Sequence, residues 1–214
     1  AMASLPAAVR KGHCTLKSNA HSKSQSFWET FAQVTNLDAT PLARDLLRAT
    51  GVTRESGPMK VLDLACGSGR YGITMAETNP AAEVTLFDQA NVLRRTRAIA
   101  RKSKASKRIR FRKGDLFTED LGGPYDLVIA SHILHHFSLK DCDRILKRIR
   151  GALHPGGMLA IQEFIVDNAR ATRARQILFS LVMLVWTNEG EAWSFQEYRR
   201  ILAENSFRRI RFTN

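Results

Sequence analysis

The stretch VIASHILHHF, residues 128–137, carries three of the chain's six histidines, His132, His135 and His136, at spacings of three and four residues. An imidazole can act as a general base, bind a metal ion or pack in the core, and the pattern alone allows all three. A zinc site would use imidazoles at this spacing, but the neighbouring sequence offers no third acidic or cysteine ligand at a suitable distance. We therefore expect no metal here, and catalysis and packing remain open.

A second stretch, VLDLACGSGRYG at residues 61–72, has the pattern of a strand that runs into a glycine-rich turn and then a helix. In open α/β sheets ligands bind beyond the carboxyl ends of the strands, where glycine lets the backbone approach them closely. The next strand ends at Asp88, nineteen residues after Gly69, where a carboxylate can accept hydrogen bonds from ribose hydroxyls. The spaced glycines of dinucleotide folds and the Gly-Lys-Ser/Thr phosphate loop are absent. The pattern indicates a nucleotide-like ligand.

The elements that must position these residues alternate along the chain. Amphipathic stretches separate five short apolar runs, which lie at residues 59–65, 83–88, 108–114, 125–131 and 157–164. This βαβ series predicts an α/β fold, in which a parallel sheet is covered by helices on both faces. The terminal segment FRRIRFTN, residues 207–214, predicts a sixth strand.

The N-terminal part lacks this alternation. Residues 1–26 are polar and are expected to form an arm or linker. Residues 27–50 predict two helices broken at Pro41, with Thr40 as the N-cap of the second. Ser138 and Ser194 each precede an acidic residue at the spacing of a capping box, which predicts a helix start at both positions.

The net charge of +13 is concentrated in one segment, because residues 94–113 contain eleven Lys or Arg and no acidic residue. The segment predicts either a solvated face or a docking patch for an acidic partner such as a carrier protein, nucleic acid or an anionic membrane. Phe111 is its only aromatic residue, so the stacking pattern of single-strand binding is missing.

Composition sets the remaining limits. The longest apolar run, residues 177–186, is about half as long as a membrane span, and the N-terminus lacks a signal-peptide pattern, so a cytoplasmic location is expected. The three cysteines, Cys14, Cys66 and Cys142, are expected to be free thiols. Because Met2 follows Ala1, we expect a chain taken from something longer.

The combination of VLDLACGSG, Asp88, GDLF at residues 114–117 and LHPGGMLAIQE at residues 153–163 resembles the class I S-adenosylmethionine-dependent methyltransferases. More narrowly, residues 133–163 are similar to the catalytic stretch of small-molecule O-methyltransferases of the caffeic acid, acetylserotonin and antibiotic-tailoring types. The resemblance implies a Rossmann-like sheet and S-adenosylmethionine as cofactor, with S-adenosylhomocysteine as product and no metal. The positions it assigns to the cofactor are Asp63, Ala65, Gly67, Gly69, Asp88, Gln89, Asp115, Leu116, Ser131 and His132.

The same resemblance implies a catalytic group. His135 matches the general base, which agrees with the need to remove a proton from a hydroxyl acceptor at neutral pH. Glu163 would orient its imidazole, and Glu191 would be a second acidic residue. The residues implied for the acceptor pocket are Phe179, Met183 and Trp186, although core packing explains their helical spacing equally well.

The chain also departs from the family pattern. His136-Phe137 stands where Asp-Trp is usual, and the second acidic position matches Ala192, with Glu191 adjacent. We expect the helical N-terminal dimerisation domain and the final antiparallel strand to be absent. Residues 27–214 would then form the methyltransferase domain, and a homodimer would require the absent domain.

The expected reaction is methyl transfer to a hydroxyl of a small, aromatic or polyketide-like acceptor. Two alternatives stay open. One is a methyltransferase whose macromolecular or carrier-bound acceptor docks on the Arg94–Lys113 segment. The other is a cofactor-binding module that does not catalyse efficiently.

Overall fold

The structure is a computed structural model that describes residues 2–16 and 39–213. Its sheet has five parallel strands in the order β3-β2-β1-β4-β5. They are β1 (Met59–Leu64), β2 (Ala82–Asp88), β3 (Ile109–Lys113), β4 (Tyr125–Ser131) and β5 (Leu153–Gln162). Each of the five overlaps one of the five apolar runs in the sequence, so the pattern predicted these strands correctly, although β5 begins earlier than its run.

Helices follow most of the strands. In the described part of the chain they are α1 (Leu5–Lys11), α2 (Ala39–Thr50), α3 (Arg70–Thr78), α4 (Ala90–Ala100), α5 (Leu139–Ala152), α6 (Ala174–Trp186) and α7 (Phe195–Glu204). None of these helices is long and apolar enough to cross a membrane.

Two hydrophobic cores sandwich the sheet, one on each face. Alternate strand residues supply them: Val61 lies in the core beneath α2, α3 and α4, whereas Leu62 lies in the core beneath α5 and α7. Such alternation between two apolar faces is what a parallel sheet buried on both sides requires. The helices on both faces confirm the α/β fold class.

The strand order places the candidate site. The chain builds β1, β2 and β3 outward in one direction and then crosses back to lay β4 on the other side of β1. The carboxyl ends of β1 and β4 therefore flank the point where the connections diverge, which is where open α/β sheets bind ligands. The glycine turn follows β1 and the histidine stretch follows β4, so the fold brings both to this crevice.

The N-terminal segment contains a helix that the sequence pattern did not predict. Within the expected arm, Leu5–Lys11 is helical and packs against α6, and the Cys14 thiol donates a hydrogen bond to the carbonyl of Val185 at 2.9 Å. The expected helix before Pro41 falls mainly in residues 17–38, outside the described residues. The helix α2 begins at Ala39 and contains Thr40 and Pro41, so the prediction of Thr40 as its N-cap is wrong. Pro41 still lies in the first turn, where the missing amide donor of proline breaks no helical hydrogen bond.

The predicted sixth strand is wrong. Residues 207–213 have no strand partner, although Phe207, Ile210 and Phe212 pack against the core beneath α5 and α7. Alternating apolar residues can anchor an extended chain to a core without joining the sheet. The ring centroids of Phe212 and Phe195, for example, lie 3.6 Å apart. The sheet of the described residues consequently ends at β5.

Both predicted helix starts are confirmed. The Ser194 hydroxyl accepts a hydrogen bond from the Glu197 amide, and the Glu197 carboxylate accepts one from the Ser194 amide, which completes a capping box. At α5 the Ser138 hydroxyl accepts from the Asp141 amide. These caps satisfy amides that a helix N-terminus leaves without partners.

The basic segment is mostly exposed, but Arg108 is part of the fold. Its guanidinium donates hydrogen bonds to the carbonyl oxygens of Ala76 at 2.6 Å, Asn79 at 3.1 Å and Ala82 at 2.9 Å. One side chain thus joins the end of α3 to the start of β2. The charge of Arg108 therefore stabilises the connection between α3 and β2 and is not available to bind a partner.

We expect Arg108→Met to lower the free energy of unfolding by about 2 kcal/mol, because charged hydrogen bonds are lost and their carbonyl partners are stranded. Lys107→Met, which changes the exposed neighbour, should alter it by less than about 0.5 kcal/mol. Urea denaturation measures both values. Equal effects of the two substitutions would contradict the structural role of Arg108.

Candidate active site

The turn after β1 is built from backbone in the left-handed region. Ala65, Gly67 and Gly69 have φ of 51°, 54° and 73°. A Cβ at Gly69 would approach side-chain atoms of Thr96 to 2.7 Å and Leu86 to 2.9 Å, so only glycine suits that position. A Cβ at Gly67 would meet nothing within 4 Å. Gly67 therefore borders open space at the crevice, whereas Gly69 packs the turn against the sheet.

Asp88 ties the end of β2 to this turn. Its carboxylate accepts hydrogen bonds from the backbone amides of Gly67 at 2.8 Å and Gln89 at 2.7 Å. Burial raises the pKa of Asp88 to about 6, and these two amides act against that rise. The carboxylate predicted to hold a ribose therefore stands beside the open space at Gly67.

Asp63, at the end of β1, is completely buried. One carboxylate oxygen accepts a hydrogen bond from the Gly72 amide at 2.8 Å, and the other has no partner. Burial raises the pKa of Asp63 to about 8, opposed by the Gly72 amide and assisted by the negative charge of Asp88. A buried acidic oxygen without a donor is a place where a bound cationic or donor group would be favourable.

These features fit the cofactor that the sequence implies. The buried Tyr71 hydroxyl also lacks a hydrogen-bond partner, so two polar groups beside the turn remain unsatisfied. S-Adenosylmethionine carries an ammonium group, a sulfonium and a ribose diol, which suit acidic oxygens and a glycine turn that leaves room. Asp63, Gly67 and Asp88 would hold the cofactor, because their chemistry suits its groups and because they lie together at the crevice.

The remaining predicted cofactor residues lie at the same edge of the sheet. After β3, Asp115 accepts a hydrogen bond from the Phe117 amide at 2.7 Å, and the Leu116 carbonyl accepts one from Arg148 at 2.9 Å. Ser131 closes β4 and pairs with β5. His132 follows with φ of 52°, a strained conformation for a histidine, and such strain tends to occur at functional sites.

His135 and Glu163 form a buried pair across the ends of β4 and β5. Nδ1 of His135 lies 2.6 Å from Oε2 of Glu163, and the two side chains are 6% and 0% exposed. The other carboxylate oxygen of Glu163 accepts a hydrogen bond from the Leu134 amide at 2.8 Å. One carboxylate thus fixes both the ring of His135 and the short 3₁₀ turn, Leu134–His136, that carries it.

The pair also explains the electrostatics of the site. Burial alone would raise the pKa of Glu163, but the charge and hydrogen bond of His135, with help from His132 and the Leu134 amide, hold it below its ordinary value. The pKa of His132 is lowered, chiefly by burial, against the attraction of Glu163. The carboxylate stays ionised beside His135.

The reason for expecting no metal is wrong on one point. The third ligand that the neighbouring sequence lacks is supplied by Glu163, because His132, His135 and Glu163 each offer a ligand atom and these atoms lie within 4.8 Å of one another. The sequence analysis paired Glu163 with His135 but did not count it as a metal ligand, because it is distant in sequence and follows β5.

Two phenylalanines cover the histidines. Phe164 and Phe179 stack with ring centroids 4.0 Å apart, and Phe179 meets the ring of His135 edge-on at 4.8 Å. The ring of Phe164 lies 5.2 Å from that of His132. Phe179 was predicted; Phe164 was missed, although its position directly after Glu163 at the end of β5 was the available signal.

The remaining residues predicted for catalysis and for the acceptor pocket are Glu191, Met183 and Trp186. Glu191 forms an ion pair with Arg170 at 2.5 Å, and it is Glu163, not Glu191, that holds Nδ1 of His135. Met183 is almost fully buried in α6, and Trp186 is partly exposed at the end of that helix. The ring of Phe179, one of the predicted acceptor residues, contacts His135.

The sheet order, the glycine turn and the carboxylate after β2 define a Rossmann-like α/β protein. Comparison with known proteins defines the family: the O-methyltransferase domain matches residues 10–208. The chain therefore belongs to this family of S-adenosylmethionine-dependent O-methyltransferases.

Individual relatives agree. Acetylserotonin O-methyltransferase of Mus musculus is 35% identical over 159 residues, which cover 72% of this chain and 41% of that protein. The tetracenomycin polyketide synthesis 8-O-methyl transferase TcmO of Streptomyces glaucescens is 30% identical over 152 residues, 71% of this chain and 44% of that protein. The chain thus spans less than half of each relative's length.

Among solved structures, human N-acetylserotonin methyltransferase in complex with S-adenosylmethionine superposes with a TM-score of 0.85 at 25% identity. The superposition covers 100% of this chain and 62% of that one. It confirms the Rossmann-like methyltransferase fold.

Gly67→Ala should weaken S-adenosylmethionine binding at least about tenfold, because its methyl group would project into the open space beside Asp88. Gly51→Ala is the matched control: Gly51 also has positive φ, 73°, with nothing within 4 Å, but it follows α2, away from the crevice. Calorimetric titration measures both. Equal cofactor affinity of the two variants would contradict the assignment of Gly67.

Asp63→Asn should flatten the pH dependence of stability. The pKa of Asp63 rises from 3.8 to about 8 on folding, so its stabilising effect is present at low pH and is lost as pH rises through about 8. The free energy of unfolding should fall between about pH 4 and pH 8 in the parent, and less in the variant. Urea denaturation across this range tests the expectation, with the exposed Asp120→Asn as control. Parallel curves for parent and Asp63→Asn would refute it.

Proposed function

We propose that this domain transfers a methyl group from S-adenosylmethionine to a hydroxyl of a small aromatic or polyketide-like acceptor, with His135 as general base. The observation that carries the proposal is the 2.6 Å contact between the buried side chains of His135 and Glu163, beside the cofactor end of the sheet. A catalytic base needs an orienting partner and a place next to the reacting groups; Glu163 supports the first requirement, and the position after β4 at the crevice supports the second.

Bound S-adenosylmethionine supplies an activated methyl group on a sulfonium, so the protein's task is alignment and proton removal. With Nδ1 of His135 donating to Glu163, the ring is held in the tautomer whose Nε2 accepts a proton. With an acceptor hydroxyl beside it, Nε2 of His135 would take the hydroxyl proton, and the bound cofactor would supply the methyl group and keep the bonding electron pair on its sulfur.

Glu163 acts at two stages of the proposed reaction. Before the reaction it orients the imidazole, and after proton transfer its negative charge stabilises the imidazolium. The Leu134 amide donates to its other oxygen and keeps the carboxylate from turning away. Because the side chain is 0% exposed, water does not weaken this interaction.

The acceptor is proposed to be aromatic because of the rings around His135. Phe164 and Phe179 form a stacked pair, which offers a flat apolar wall next to the base. The names of two relatives, an acetylserotonin and a polyketide methyltransferase, are consistent with acceptors of this class. Met183 and Trp186 would extend the wall along α6.

The cofactor is proposed to lie between the two halves of the site. Gly67 and Gly69 would face its methionine part, Asp88 with Gln89 its ribose, and Asp115 with Leu116 its adenine. Asp63, Ala65, Ser131 and His132 would complete the cradle. Glu191 is left outside the reaction, since its carboxylate is paired with Arg170.

A second candidate is a macromolecular or carrier-bound acceptor. Nine of the eleven basic side chains in the Arg94–Lys113 segment are exposed, which leaves a cationic surface after Arg108 and Arg112 are set aside. An acceptor recruited there would bind less tightly as the salt concentration rises, whereas a small neutral acceptor would not.

His135→Ala should lower kcat at least about 100-fold, because the base is lost, and leave S-adenosylmethionine affinity within about threefold of the parent. His136→Ala removes the neighbouring imidazole while leaving the contact between Nδ1 of His135 and Glu163 in place, and should change kcat little. The measurement is methyl transfer from labelled cofactor to N-acetylserotonin and to a panel of phenols, with cofactor binding followed by calorimetry. Full turnover by the His135→Ala protein would exclude the proposed role.

A further inference from the structure

The cluster of His132, His135 and Glu163 has a property that methyl transfer does not use. It places two imidazoles and one carboxylate with donor atoms within 4.8 Å of one another, on two adjacent strand ends. Two histidines and one carboxylate are the ligand set of catalytic zinc sites and of other sites that hold a divalent transition metal while leaving positions open.

One member of the cluster lacks a partner. Nδ1 of His132 is inaccessible to solvent and makes no hydrogen bond, although a buried imidazole nitrogen normally has one. Its backbone is held at φ of 52° by a hydrogen bond from its amide to the Gln162 carbonyl at 2.8 Å. The ring that carries this nitrogen lies near the pair formed by His135 and Glu163, with a ring-centroid distance of 6.2 Å to His135.

We propose that His132, His135 and Glu163 bind a divalent transition-metal ion such as Zn²⁺, and that this ion inhibits the domain. The metal would take the place of the proton between Nδ1 of His135 and Oε2 of Glu163, while a ring nitrogen of His132 provides the third ligand. Solvent or the acceptor would fill the fourth position.

The required movement is small. Ligands in a tetrahedral zinc site lie about 3.3 Å apart, given bonds of about 2.0–2.2 Å. The contact of 2.6 Å between His135 and Glu163 must therefore widen slightly, and His132 must move closer by about 1.5 Å at most, since all donor atoms already lie within 4.8 Å. Glu163 keeps the hydrogen bond from the Leu134 amide on its other oxygen during this change.

Inhibition rests on the proposed function, whereas metal binding does not. A ring of His135 that is coordinated through Nδ1 has lost the carboxylate contact that holds it in the base-competent orientation. Glu163, bound to the cation, no longer stabilises the imidazolium. The ion also adds positive charge beside the proposed position of a cationic cofactor, which disfavours both together.

Calorimetry of the purified protein with Zn²⁺ alone, and visible absorption with Co²⁺ as a spectroscopic substitute, tests the site without any acceptor. We expect one ion per chain, with affinity lowered at least about tenfold by His132→Ala and by Glu163→Gln. His136→Ala is the matched control, because that imidazole is adjacent but is not among the three ligands, and it should leave affinity unchanged. Cys14→Ser, which removes the one cysteine that is not fully buried, should also leave it unchanged.

Absence of binding at about 0.1 mM Zn²⁺ would overturn the proposal, and so would binding that survives His132→Ala or disappears in Cys14→Ser. Should Glu163→Gln fail to fold, His132→Ala carries the test. The two proposals fail separately: a protein that binds zinc but transfers no methyl group contradicts the function alone, and an active protein that ignores zinc contradicts the metal site alone.

Discussion

The contact between His135 and Glu163 is the constraint on which the catalytic half of the site depends. A carboxylate that is 0% exposed is stable only if its charge is compensated, and this one has His135 on one oxygen and the Leu134 amide on the other. Those partners sit on the turn after β4, while Glu163 follows β5. The contact therefore sets the distance between two strand ends, and Phe164 and Phe179 pack over an imidazole whose orientation is already fixed.

The half of the site around the glycine turn differs from this in its electrostatics. Asp63 is buried and Asp88 partly buried, and within the described residues neither forms an ion pair; burial raises the pKa of both, whereas the pKa of Glu163 is held low by His135. Charge is thus satisfied internally where the proposed base lies and left unsatisfied where the proposed cofactor lies. A cationic ligand in the crevice would stabilise the ionised forms of Asp63 and Asp88. The division gives a physical reason for the cofactor to bind on the β1 side and the acceptor on the β4 side.

The sequence was sufficient for the features that local patterns encode. Strand position follows from short apolar runs, the glycine turn from its composition, and the location of Asp88 from its place at a strand end. Contacts between distant segments were harder. The resemblance to a family linked Glu163 with His135, but spacing alone did not reveal that His132 completes a cluster with them, nor that Phe164 covers it. The sixth strand failed because an apolar alternation indicates burial and does not specify a strand partner.

One chemical requirement underlies both proposals for the histidine cluster. A general base needs an imidazole nitrogen with an available lone pair, an orienting carboxylate and little water, and a transition metal needs the same three things. What separates the outcomes is the third donor: the base uses His135 and Glu163 alone, and the metal also needs His132. The strained backbone of His132 keeps its ring near the pair, so any ligand that engages this ring also withdraws the third donor. A cofactor contact to the His132 ring and the proposed metal binding would therefore compete.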